Sequence, residues 1–371
     1  MPDRLRVGIL GCGMIAFAGY GYLPGMTHLT DKVELVAACD PITARAEKVV
    51  RDFGARRAYA DYEELLADPE VDAIINLSPI PAHDETNLKA LLAGKHVVTE
   101  KPIATDLDAG LKIVKTAEER SLRVVCAPPD PLQPTIQHAR RLIEEGSIGK
   151  VCFARAHSSH GGPAAVPFWP VDPTWFYKAG SGPLYDMGVY GITQLTAVLG
   201  PAKRVFAFSG ITEPTRVVAG GPARGKVIEV EVDDNTLLML DFGGSTFAVV
   251  DGTYNLMAAK GPWIEFYGRT GTLNVNNPMW TPAEPLFEVM RTDPKFGPPQ
   301  WCSPGLAEVA QAEARAAALQ RAVVVEDLVN SVLGDRAPVL SGERGVHVLE
   351  IMLKAYESAR EGRAVDLQTS F

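Results

Sequence analysis

Residues 4–16, RLRVGILGCGMIA, decide the fold. Arg4–Leu10 is a short apolar run typical of a buried strand, and the pattern G-x-G-x-x-A follows it at Gly11, Gly13 and Ala16. Glycines at these positions allow a tight turn and the close approach of a pyrophosphate to the start of the next helix. Because G-x-G occurs in many turns, the motif is a hypothesis that the neighbouring segments have to support.

The next apolar run supports this hypothesis. Val33–Cys39 reads as a second strand and ends at Asp40, the position where an acidic residue holds the ribose hydroxyls of a dinucleotide. A carboxylate there favours NAD, because the 2′-phosphate of NADP would meet a like charge. The interval from Gly11 is longer than usual, and the glycine- and proline-containing insert Gly19–Met26 accounts for the extra length. Asp40 also fits a role as N-cap of a helix over Thr43–Phe53, and the two roles are compatible.

Strands and helices then alternate as far as Cys126. The predicted strands are Arg57–Ala60, Val71–Leu77, Val97–Thr99 and Leu122–Cys126, and the predicted helices are Tyr62–Ala67, Ala82–Ala93 and Asp106–Arg120. Six short strands separated by helices indicate a doubly wound parallel sheet, the Rossmann arrangement. In such a sheet, ligands bind in the crevice beyond the carboxyl ends of the strands.

Two polar turns fall at that edge of the predicted sheet. Val97–Thr99 ends at Glu100–Pro102 (EKP), and Ser78-Pro79 follows the preceding strand. Lys101 is therefore expected to meet a ligand, although a Glu-Lys pair before a helix also fits a simple surface turn. His83, at the start of the helix after Ser78-Pro79, fits either a contact with the cofactor or substrate or a helix-capping role.

A proline-rich junction, Ala127–Pro131, separates a first domain (residues 1–127) from a second domain (residues 128–371). β patterns dominate there, as in an α+β domain with a large open, mostly antiparallel sheet used for substrate binding and oligomerisation. The predicted strands are Val151–His157, Val205–Ser209, Lys226–Asp233, Thr236–Phe242, Thr246–Asp251, Trp263–Tyr267 and Thr272–Val275. The predicted helices are Gln133–Glu145, Gln320–Leu333 and Glu343–Arg360, with room for the C-terminal helices to pack back on the first domain.

The segment Lys178–Gly200 carries a second group of candidate catalytic residues. After a glycine-proline turn it becomes helical and puts Asp186 and Tyr190 four residues apart, on one face. A carboxylate and a phenol in this arrangement suit acid–base chemistry on a hydroxyl or a carbonyl. On spacing alone, an amphipathic helix with a core tyrosine and an aspartate in its first turn fits even better.

Residues upstream of that helix are candidates to line a substrate pocket. They are His157, His160, Trp175, Tyr177 and Lys178, with Phe168, Trp169 and Phe176 as flat surfaces for a sugar ring. Aromatic residues of this kind also occur in cores and interfaces, and that alternative stays open. The histidines lack ligand spacing with cysteine or carboxylate, so no metal site is predicted.

The composition argues against several classes of protein. The chain of 371 residues has a formal net charge of −9, which disfavours nucleic acid or an anionic membrane as the main partner. Its five cysteines show no CxxC spacing, as expected of reduced thiols in a cytosolic protein. The glycine turn comes too soon for a signal peptide, and no apolar run reaches the length of a membrane span. A cytoplasmic location is expected.

Taken together, the motifs resemble the Gfo/Idh/MocA oxidoreductase family, which includes glucose–fructose oxidoreductase and inositol dehydrogenase. The matching pieces are Gly11–Ala16 (GCGMIA), Asp40, Ser78-Pro79 with His83, Glu100–Pro102, Asp186–Tyr190 (DMGVY), and Val339–Ala359 followed by Gly362. The similarity spans almost the whole chain, and EKP followed by D-x-x-x-Y is specific.

The resemblance implies a role for each matched residue. The cofactor, NAD rather than NADP, would be held by Gly11, Gly13, Met14, Ile15, Asp40, Ser78, Pro79, His83, Glu100 and Lys101. Lys101 would contact both the nicotinamide ribose and a substrate hydroxyl, and Asp186 would hold the substrate. Tyr190 takes the place of the catalytic histidine of inositol dehydrogenase-like members, as in the glucose–fructose oxidoreductase and dihydrodiol dehydrogenase branches. Pro128–Asp130 departs from the polar run common after the sixth strand, which leaves the nicotinamide contact there open.

The predicted reaction is reversible hydride transfer between C4 of NAD and a secondary alcohol carbon of a sugar, cyclitol or related polyol. The pKa of a free tyrosine or lysine side chain is about 10. Lys101 or Tyr190 can therefore take the hydroxyl proton near neutral pH only if its surroundings lower its pKa. Two other classes remain: a non-catalytic dinucleotide-binding regulator, and a redox-neutral lyase or glycoside-processing enzyme with tightly bound NAD. The joint presence of Lys101, Asp186 and Tyr190 argues against the regulator. The family pattern also implies homodimers or homotetramers formed through the open face of the sheet.

Overall fold

The computed structural model describes residues 4–276 and 285–371. Its internal contacts divide the chain into two compact units. The first unit runs through Leu132 and also includes Glu313–Leu349, and the second comprises Gln133–Ala312 and Glu350–Phe371. The first unit is therefore assembled from two pieces of sequence that are far apart along the chain.

Within the described residues, a six-stranded sheet forms the centre of the first unit. Its strands are β1 (Leu5–Leu10), β2 (Val33–Cys39), β3 (Arg57–Tyr59), β4 (Ala73–Asn76), β5 (His96–Thr99) and β6 (Val124–Cys126). They lie in the order β3-β2-β1-β4-β5-β6 and pair only in parallel. β1, β4 and β5 are almost entirely buried, as expected of strands covered on both faces. The doubly wound parallel sheet is confirmed, and its strand order reverses at β1 and β4.

Helices connect the strands and cover the sheets. They are α1 (Met14–Phe17), α2 (Tyr22–Met26), α3 (Thr43–Phe53), α4 (Tyr62–Ala67), α5 (His83–Leu92), α6 (Leu107–Glu119), α7 (Pro134–Glu144), α8 (Val189–Leu199), α9 (Leu306–Leu319), α10 (Ala322–Leu333) and α11 (Gly342–Glu361). None of the helices among the described residues is both long and apolar enough to cross a membrane.

The insert Gly19–Met26, which lies between β1 and β2, is partly helical. Its helix α2 buries Tyr22, Leu23 and Met26 in one core cluster with Val325 and Leu328 of α10. The same cluster contains residues of β1, β2, β4, β5 and β6. The segment that returns to the first unit, which includes α10, thus packs on the insert. This contact was not evident from the sequence.

The second unit is built on a large mixed sheet. The strands of this unit are β7 (Val151–Ala156), β8 (Arg204–Gly210), β9 (Thr215–Val217), β10 (Val227–Glu229), β11 (Asn235–Gly243), β12 (Thr246–Thr253), β13 (Ile264–Gly268), β14 (Gly271–Val275), β15 (Phe287–Arg291), β16 (Trp301–Cys302) and β17 (Val365–Asp366). In the described part of the chain, nine of them form one sheet in the order β16-β15-β14-β13-β7-β12-β11-β8-β17. The β7–β12 pairing is parallel and the other pairings are antiparallel, which confirms the mostly antiparallel sheet.

The prediction of a long strand over Lys226–Asp233 is wrong. Only Val227–Glu229 is extended, and it pairs with Thr215–Val217 in a separate two-stranded hairpin. Of the three residues, only Ile228 is buried, in a small core that also contains Tyr177 and Tyr254. The alternation of apolar and polar residues places Ile228 in this small core and not in the large sheet.

The large sheet has one covered face and one open face. Side chains such as Ala154, Ala156 and Val250 are buried, and the last two lie against Gly191 of α8. The alternate residues point to the opposite side. That side carries exposed apolar side chains, which we call the open face: Phe153, Phe208, Leu237, Met239 and Phe247.

Candidate active site

The glycine turn after β1 has the geometry of a dinucleotide-binding loop. Gly11 has φ of +89°, and a Cβ there would lie 2.6 Å from the carbonyl oxygen of Leu77 at the end of β4. This position therefore accepts only glycine. Around Gly13, by contrast, a Cβ would meet no heavy atom within 4 Å. The turn leaves open space above Gly13, which we call the cradle, with Met14 exposed and Ile15 partly exposed beside it.

Asp40 ties this loop to the end of β2. Its Oδ2 accepts the backbone N–H of Cys12 (2.9 Å), and its Oδ1 accepts the backbone N–H of Ile42 (2.8 Å). Ile42, not Asp40, occupies the N-cap position of α3, so the capping alternative does not hold. The carboxylate is only 4% exposed, and Arg45 Nη1 lies 3.9 Å from Oδ1. Asp40 is thus a charged part of the loop itself.

The negative charge of Asp40 acts on both neighbouring thiols. Burial, followed by the charge of Asp40, raises the pKa of Cys12 and of Cys39 to about 12. Both side chains therefore stay protonated and unreactive near neutral pH.

His83 lies at the carboxyl edge of the sheet but faces inward. It is fully buried, with Nδ1 2.7 Å from the carbonyl oxygen of Pro102 and Nε2 2.9 Å from that of Ser78. The ring joins the turn after β4 to the turn after β5. Ser78 and Lys101 are partly exposed at this edge, and Pro79 is exposed.

Glu100 is also turned into the protein. Its Oε1 accepts hydrogen bonds from the Tyr22 hydroxyl (2.9 Å) and from Arg321 Nη1 (3.2 Å). Its Oε2 accepts the backbone N–H of Lys101 at 3.2 Å. Burial acts to raise the pKa of Glu100, but the charges of Arg321 and Lys101 and the hydrogen bond from Tyr22 outweigh it and leave the pKa lowered. Glu100 is therefore a buried, paired carboxylate.

In the second unit, Asp186 lies in a π-helical turn. Leu184–Gly188 forms this turn, and α8 continues from it with Tyr190 in its first turn. Single π turns within helices occur often at functional sites. Asp186 is partly exposed, whereas Tyr190 is 3% exposed. The regular α-helical geometry expected for this pair is replaced by a wider turn at Asp186.

Two side chains surround the carboxylate of Asp186. The hydroxyl of Tyr254 donates to Oδ2 at 3.0 Å, and His160 Nε2 lies 3.7 Å from the same oxygen. The backbone N–H of Gly162 donates to His160 Nδ1 at 2.8 Å, so a neutral His160 carries its proton on Nε2, facing Asp186. Burial and the neighbouring carboxylate raise the pKa of Tyr254 well above its ordinary value, so this phenol remains a hydrogen-bond donor.

Tyr177 supports the loop that carries His160. It is 1% exposed, and its hydroxyl accepts the backbone N–H of Ala164 at 3.1 Å. Gly162 has φ of +84°, and a Cβ there would lie 2.6 Å from the Tyr177 hydroxyl. Tyr177 was predicted to line the substrate pocket, and in the structure its buried side chain supports the loop that carries His160.

The remaining candidates lie further out. Trp175 is 49% exposed and packs on Phe176, with ring centroids 4.0 Å apart. Lys178 forms an ion pair with Glu231 at 2.6 Å. Phe168 is 84% exposed, and Trp169 meets Phe176 edge to face. Phe176 belongs to the small core that contains Tyr177 and Tyr254, and Trp169 packs against this core.

His157 points away from α8. Ala156 and Ser158 contact Gly191 of α8, so the intervening His157 faces the open side of the sheet. There its Nδ1 donates to Asp251 Oδ2 at 2.8 Å. The structure therefore separates His157 from the Asp186 cluster, which lies next to α8.

Comparison with known proteins agrees with the two-part architecture. A family model described as "Oxidoreductase family, NAD-binding Rossmann fold" matches residues 5–127, and the GFO/IDH/MocA C-terminal domain matches residues 136–274. Together the two models cover most of the chain. The chain belongs to the Gfo/Idh/MocA oxidoreductase family. The family assignment identifies the cradle above Gly13 as part of a dinucleotide-binding domain.

Two relatives in this family illustrate its range. A Xenopus laevis trans-1,2-dihydrobenzene-1,2-diol dehydrogenase is 27% identical over 76% of this chain and 77% of its own length. A levoglucosan dehydrogenase from Pseudarthrobacter phenanthrenivorans is 24% identical over 74% of each chain. The crystal structure of an NAD-binding oxidoreductase from Klebsiella pneumoniae superimposes with a TM-score of 0.81 at 24% identity, covering 100% of both chains. The last comparison shows the shared Gfo/Idh/MocA fold.

Sequence reasoning missed three residues that form hydrogen bonds with candidate site residues: Tyr22, Tyr254 and Arg321. Tyr22 lies 78 residues from its partner Glu100, and Tyr254 lies 68 residues from its partner Asp186. Neither pair shares a motif or a spacing, so only the folded chain brings them together. In residues 4–276 and 285–371, no group of three or more His, Cys, Asp or Glu side chains is arranged to hold a metal ion.

Proposed function

We propose that the protein is an NAD-preferring dehydrogenase acting on a secondary alcohol or ketone of a sugar, cyclitol or related polyol. The observation that carries this proposal is the Asp186 cluster, in which Tyr254 and His160 face one carboxylate oxygen, Oδ2. A carboxylate held in this way suits a substrate that offers several hydroxyl groups. Relatives named as diol and levoglucosan dehydrogenases support the same substrate class.

The preference for NAD rests on Asp40. Asp40 is hydrogen-bonded to the glycine loop, and its negative charge adds to burial in raising the pKa of Cys12 and Cys39, which supports the preference. A 2′-phosphate would bring such a charge to the end of β2. Arg45 is the one cation paired with Asp40 in the described ion pairs, at 3.9 Å, and it is half exposed, so its compensation is weak.

The proposed roles are assigned residue by residue. When bound, the nicotinamide accepts or returns the hydride. In the oxidative direction the substrate carbon gives up a hydride and its hydroxyl gives up a proton, which leaves a carbonyl group. Lys101 and Tyr190 are the candidates to take the proton, and Asp186 is the candidate to orient the hydroxyl groups.

We further propose that the protein assembles as a homodimer or homotetramer through the open face. Phe208 is 70% exposed, and Leu237 and Met239 are each 50% exposed on this face. An exposed apolar sheet surface of this kind marks an interaction site, and a second copy of the same surface matches its apolar character.

The test of the function is the absorbance of reduced nicotinamide during turnover. Purified protein would be assayed with NAD and with NADP against aldoses, cyclitols, anhydrosugars, glycosides and vicinal diols. Accumulation of NADH with one substrate group would establish a dehydrogenase and its substrate class. If NAD stays bound to the purified protein and no NADH accumulates with any substrate, the redox-neutral or regulatory alternative replaces the proposal.

A further inference from the structure

We propose that Glu100, Tyr22, Arg321 and His83 form a brace that positions Lys101, and that Arg321 is a positioning residue for the reaction. The inference rests on the proposed function, because it assumes that Lys101 serves the reacting hydroxyl. The family resemblance implies cofactor contacts for His83 and Glu100, but in the structure the side chains of all four residues form hydrogen bonds within the protein. We call the four residues the lysine brace.

The first half of the lysine brace fixes the residue before Lys101. Glu100 is 9% exposed and receives hydrogen bonds from Tyr22 and Arg321 on the same oxygen, Oε1. The Arg321 side chain is itself only 13% exposed. A buried carboxylate is tolerated only when it is paired and hydrogen-bonded, so this geometry pins the Glu100 side chain in place.

The second half fixes the residue after Lys101. The carbonyl oxygen of Pro102 lies 2.7 Å from His83 Nδ1, and the other ring nitrogen faces Ser78. Asn87 adds a hydrogen bond from Nδ2 to the carbonyl oxygen of Ile103 at 3.0 Å. The backbone is therefore held on both sides of Lys101, whose own side chain is partly exposed.

This arrangement has a direct consequence for catalysis. A lysine side chain has many rotamers, and its ammonium group reaches a defined point only if its Cα is fixed. Misplacement of a catalytic group by about 1 Å can lower the rate about 100-fold. The lysine brace supplies this fixed point through hydrogen bonds within the protein.

Two members of the lysine brace come from segments outside the strand and its turn. Tyr22 belongs to the insert helix α2, and Arg321 immediately precedes α10, 221 residues after Glu100. The insert and the returning segment pack on one another in the core. Each of the two segments therefore contributes one residue to the lysine brace at the carboxyl edge of the sheet.

The experiment compares wild type with Arg321→Lys, Arg321→Gln and the double variant Glu100→Gln/Arg321→Gln. The double variant removes both charges, so no unpaired carboxylate is left buried if the single variant does not fold. Arg6→Met is the matched control, because Arg6 forms a partly buried pair with Asp72 (2.7 Å) at the opposite end of the strands. The readouts are kcat, KM, NAD affinity and thermal midpoint.

A further readout does not require turnover. Acetic anhydride labels lysine amines, and peptide mass spectrometry reports the labelling of Lys101 with and without saturating NAD. In the wild type, NAD should protect Lys101. In the double variant, protection should fall at least about threefold while NAD affinity stays within about threefold, because the amine no longer occupies one position.

The expected kinetic result is a fall in kcat of about 100-fold in the double variant with little change in KM. Arg321→Lys should recover most of the activity, and Arg6→Met should lower the thermal midpoint without lowering kcat. The proposal is overturned if the double variant keeps kcat and NAD protection. If the wild type turns over no substrate, the proposed function fails, and the labelling of Lys101 alone then decides the fate of the brace.

Discussion

Lys101 is partly exposed, whereas the residues on either side of it are buried. At the scale of single residues, this contrast separates groups that meet ligands from groups that hold them. Glu100 lies in the EKP motif and His83 lies at the carboxyl edge of the sheet, and both positions predict contact with a ligand. Their side chains nevertheless form hydrogen bonds within the protein. A motif therefore identifies a region reliably, while the direction of each side chain depends on partners far along the sequence.

The role of Lys101 can be tested directly. Lys101→Ala should lower kcat by about 10²–10⁴-fold, because it removes a positioned proton-handling group. NAD affinity should change little, since the cradle above Gly13 and the Asp40 carboxylate are untouched. Isothermal titration and steady-state kinetics would measure the two effects. Turnover that persisted in Lys101→Ala would show that the proton is handled elsewhere.

Asp40 offers a test of cofactor preference. Asp40→Ala removes the acceptor of two backbone N–H groups and the negative charge, so NAD affinity should fall about tenfold or more. Discrimination against NADP should also fall. Asp40→Asn is the matched variant, because it keeps the size of the side chain and one oxygen acceptor but loses the charge. Fluorescence titrations with both dinucleotides would show the change, and an unaltered preference in both variants would refute the assignment.

At the scale of elements, the glycine turn and the π turn show how local geometry serves the site. A side chain at Gly11 would clash with the backbone at the end of β4, whereas a side chain at Gly13 would meet only open space. The sequence shows two similar glycines, and the structure shows two different reasons for them. Likewise, the spacing of Asp186 and Tyr190 was clear, but the π turn that presents Asp186 was not.

The two glycines can be separated by substitution. Gly11→Ala should destabilise the protein by roughly 1–3 kcal/mol, because it forces a side chain into a left-handed conformation against Leu77. Gly13→Ala should change stability by less than about 1 kcal/mol and lower NAD affinity, because its methyl group fills the cradle. Urea unfolding and NAD titration of both variants would test this. Equal effects of the two variants on stability would contradict the distinction.

The contact between β12 and the end of β7 predicts a pH-dependent contribution to stability. Burial acts to raise the pKa of Asp251, but hydrogen bonds from His157, Ser159 and the backbone of Ser158 outweigh it, so the pKa is lowered. A lowered pKa stabilises the fold above about pH 4, the ordinary value for aspartate, and this stabilisation is lost as the pH falls through the folded-state pKa.

Asp251→Asn should therefore reduce the free energy of unfolding by about 1–3 kcal/mol at pH 7. The difference from wild type should be smaller at pH 3 than at pH 7, because the stabilisation is lost as the pH falls through the folded-state pKa. Urea unfolding at both pH values would measure it, with the exposed Glu213→Gln as a control that should have no such pH dependence. A difference that stayed constant between pH 7 and pH 3 would rule out the charge of Asp251 as the cause.

At the scale of the whole molecule, the proposed assembly through the open face can be tested by substitution. Met239→Lys and Phe208→Glu place charges on the exposed apolar surface and should convert an assembled protein into monomers. Leu111→Glu, on the exposed side of α6, is the control and should leave the assembly unchanged. Light scattering after size-exclusion chromatography gives the mass. A Met239→Lys protein with the wild-type mass would move the interface elsewhere.

The fold was predicted from the sequence more fully than the site was. The strand Val33–Cys39 and the helices Thr43–Phe53 and Tyr62–Ala67 were predicted with the observed bounds, because hydrophobic runs and turn residues act locally. Strands such as Phe287–Arg291 were missed, since a run of five residues carries a weak pattern. The partners of Asp186 and Glu100 could not be predicted, because hydrogen bonds between distant segments leave no periodic signal.

The position of Arg321 in the chain also has a consequence for biosynthesis. A ribosome makes roughly 5–20 residues per second, so Arg321 emerges roughly 10–40 s after Glu100. During that interval Glu100 in the nascent first unit lacks its arginine partner, and the core surface that α10 covers is exposed. Completion of the nucleotide-binding half therefore waits for nearly the entire polypeptide, and synthesis that stops early leaves that half unfinished.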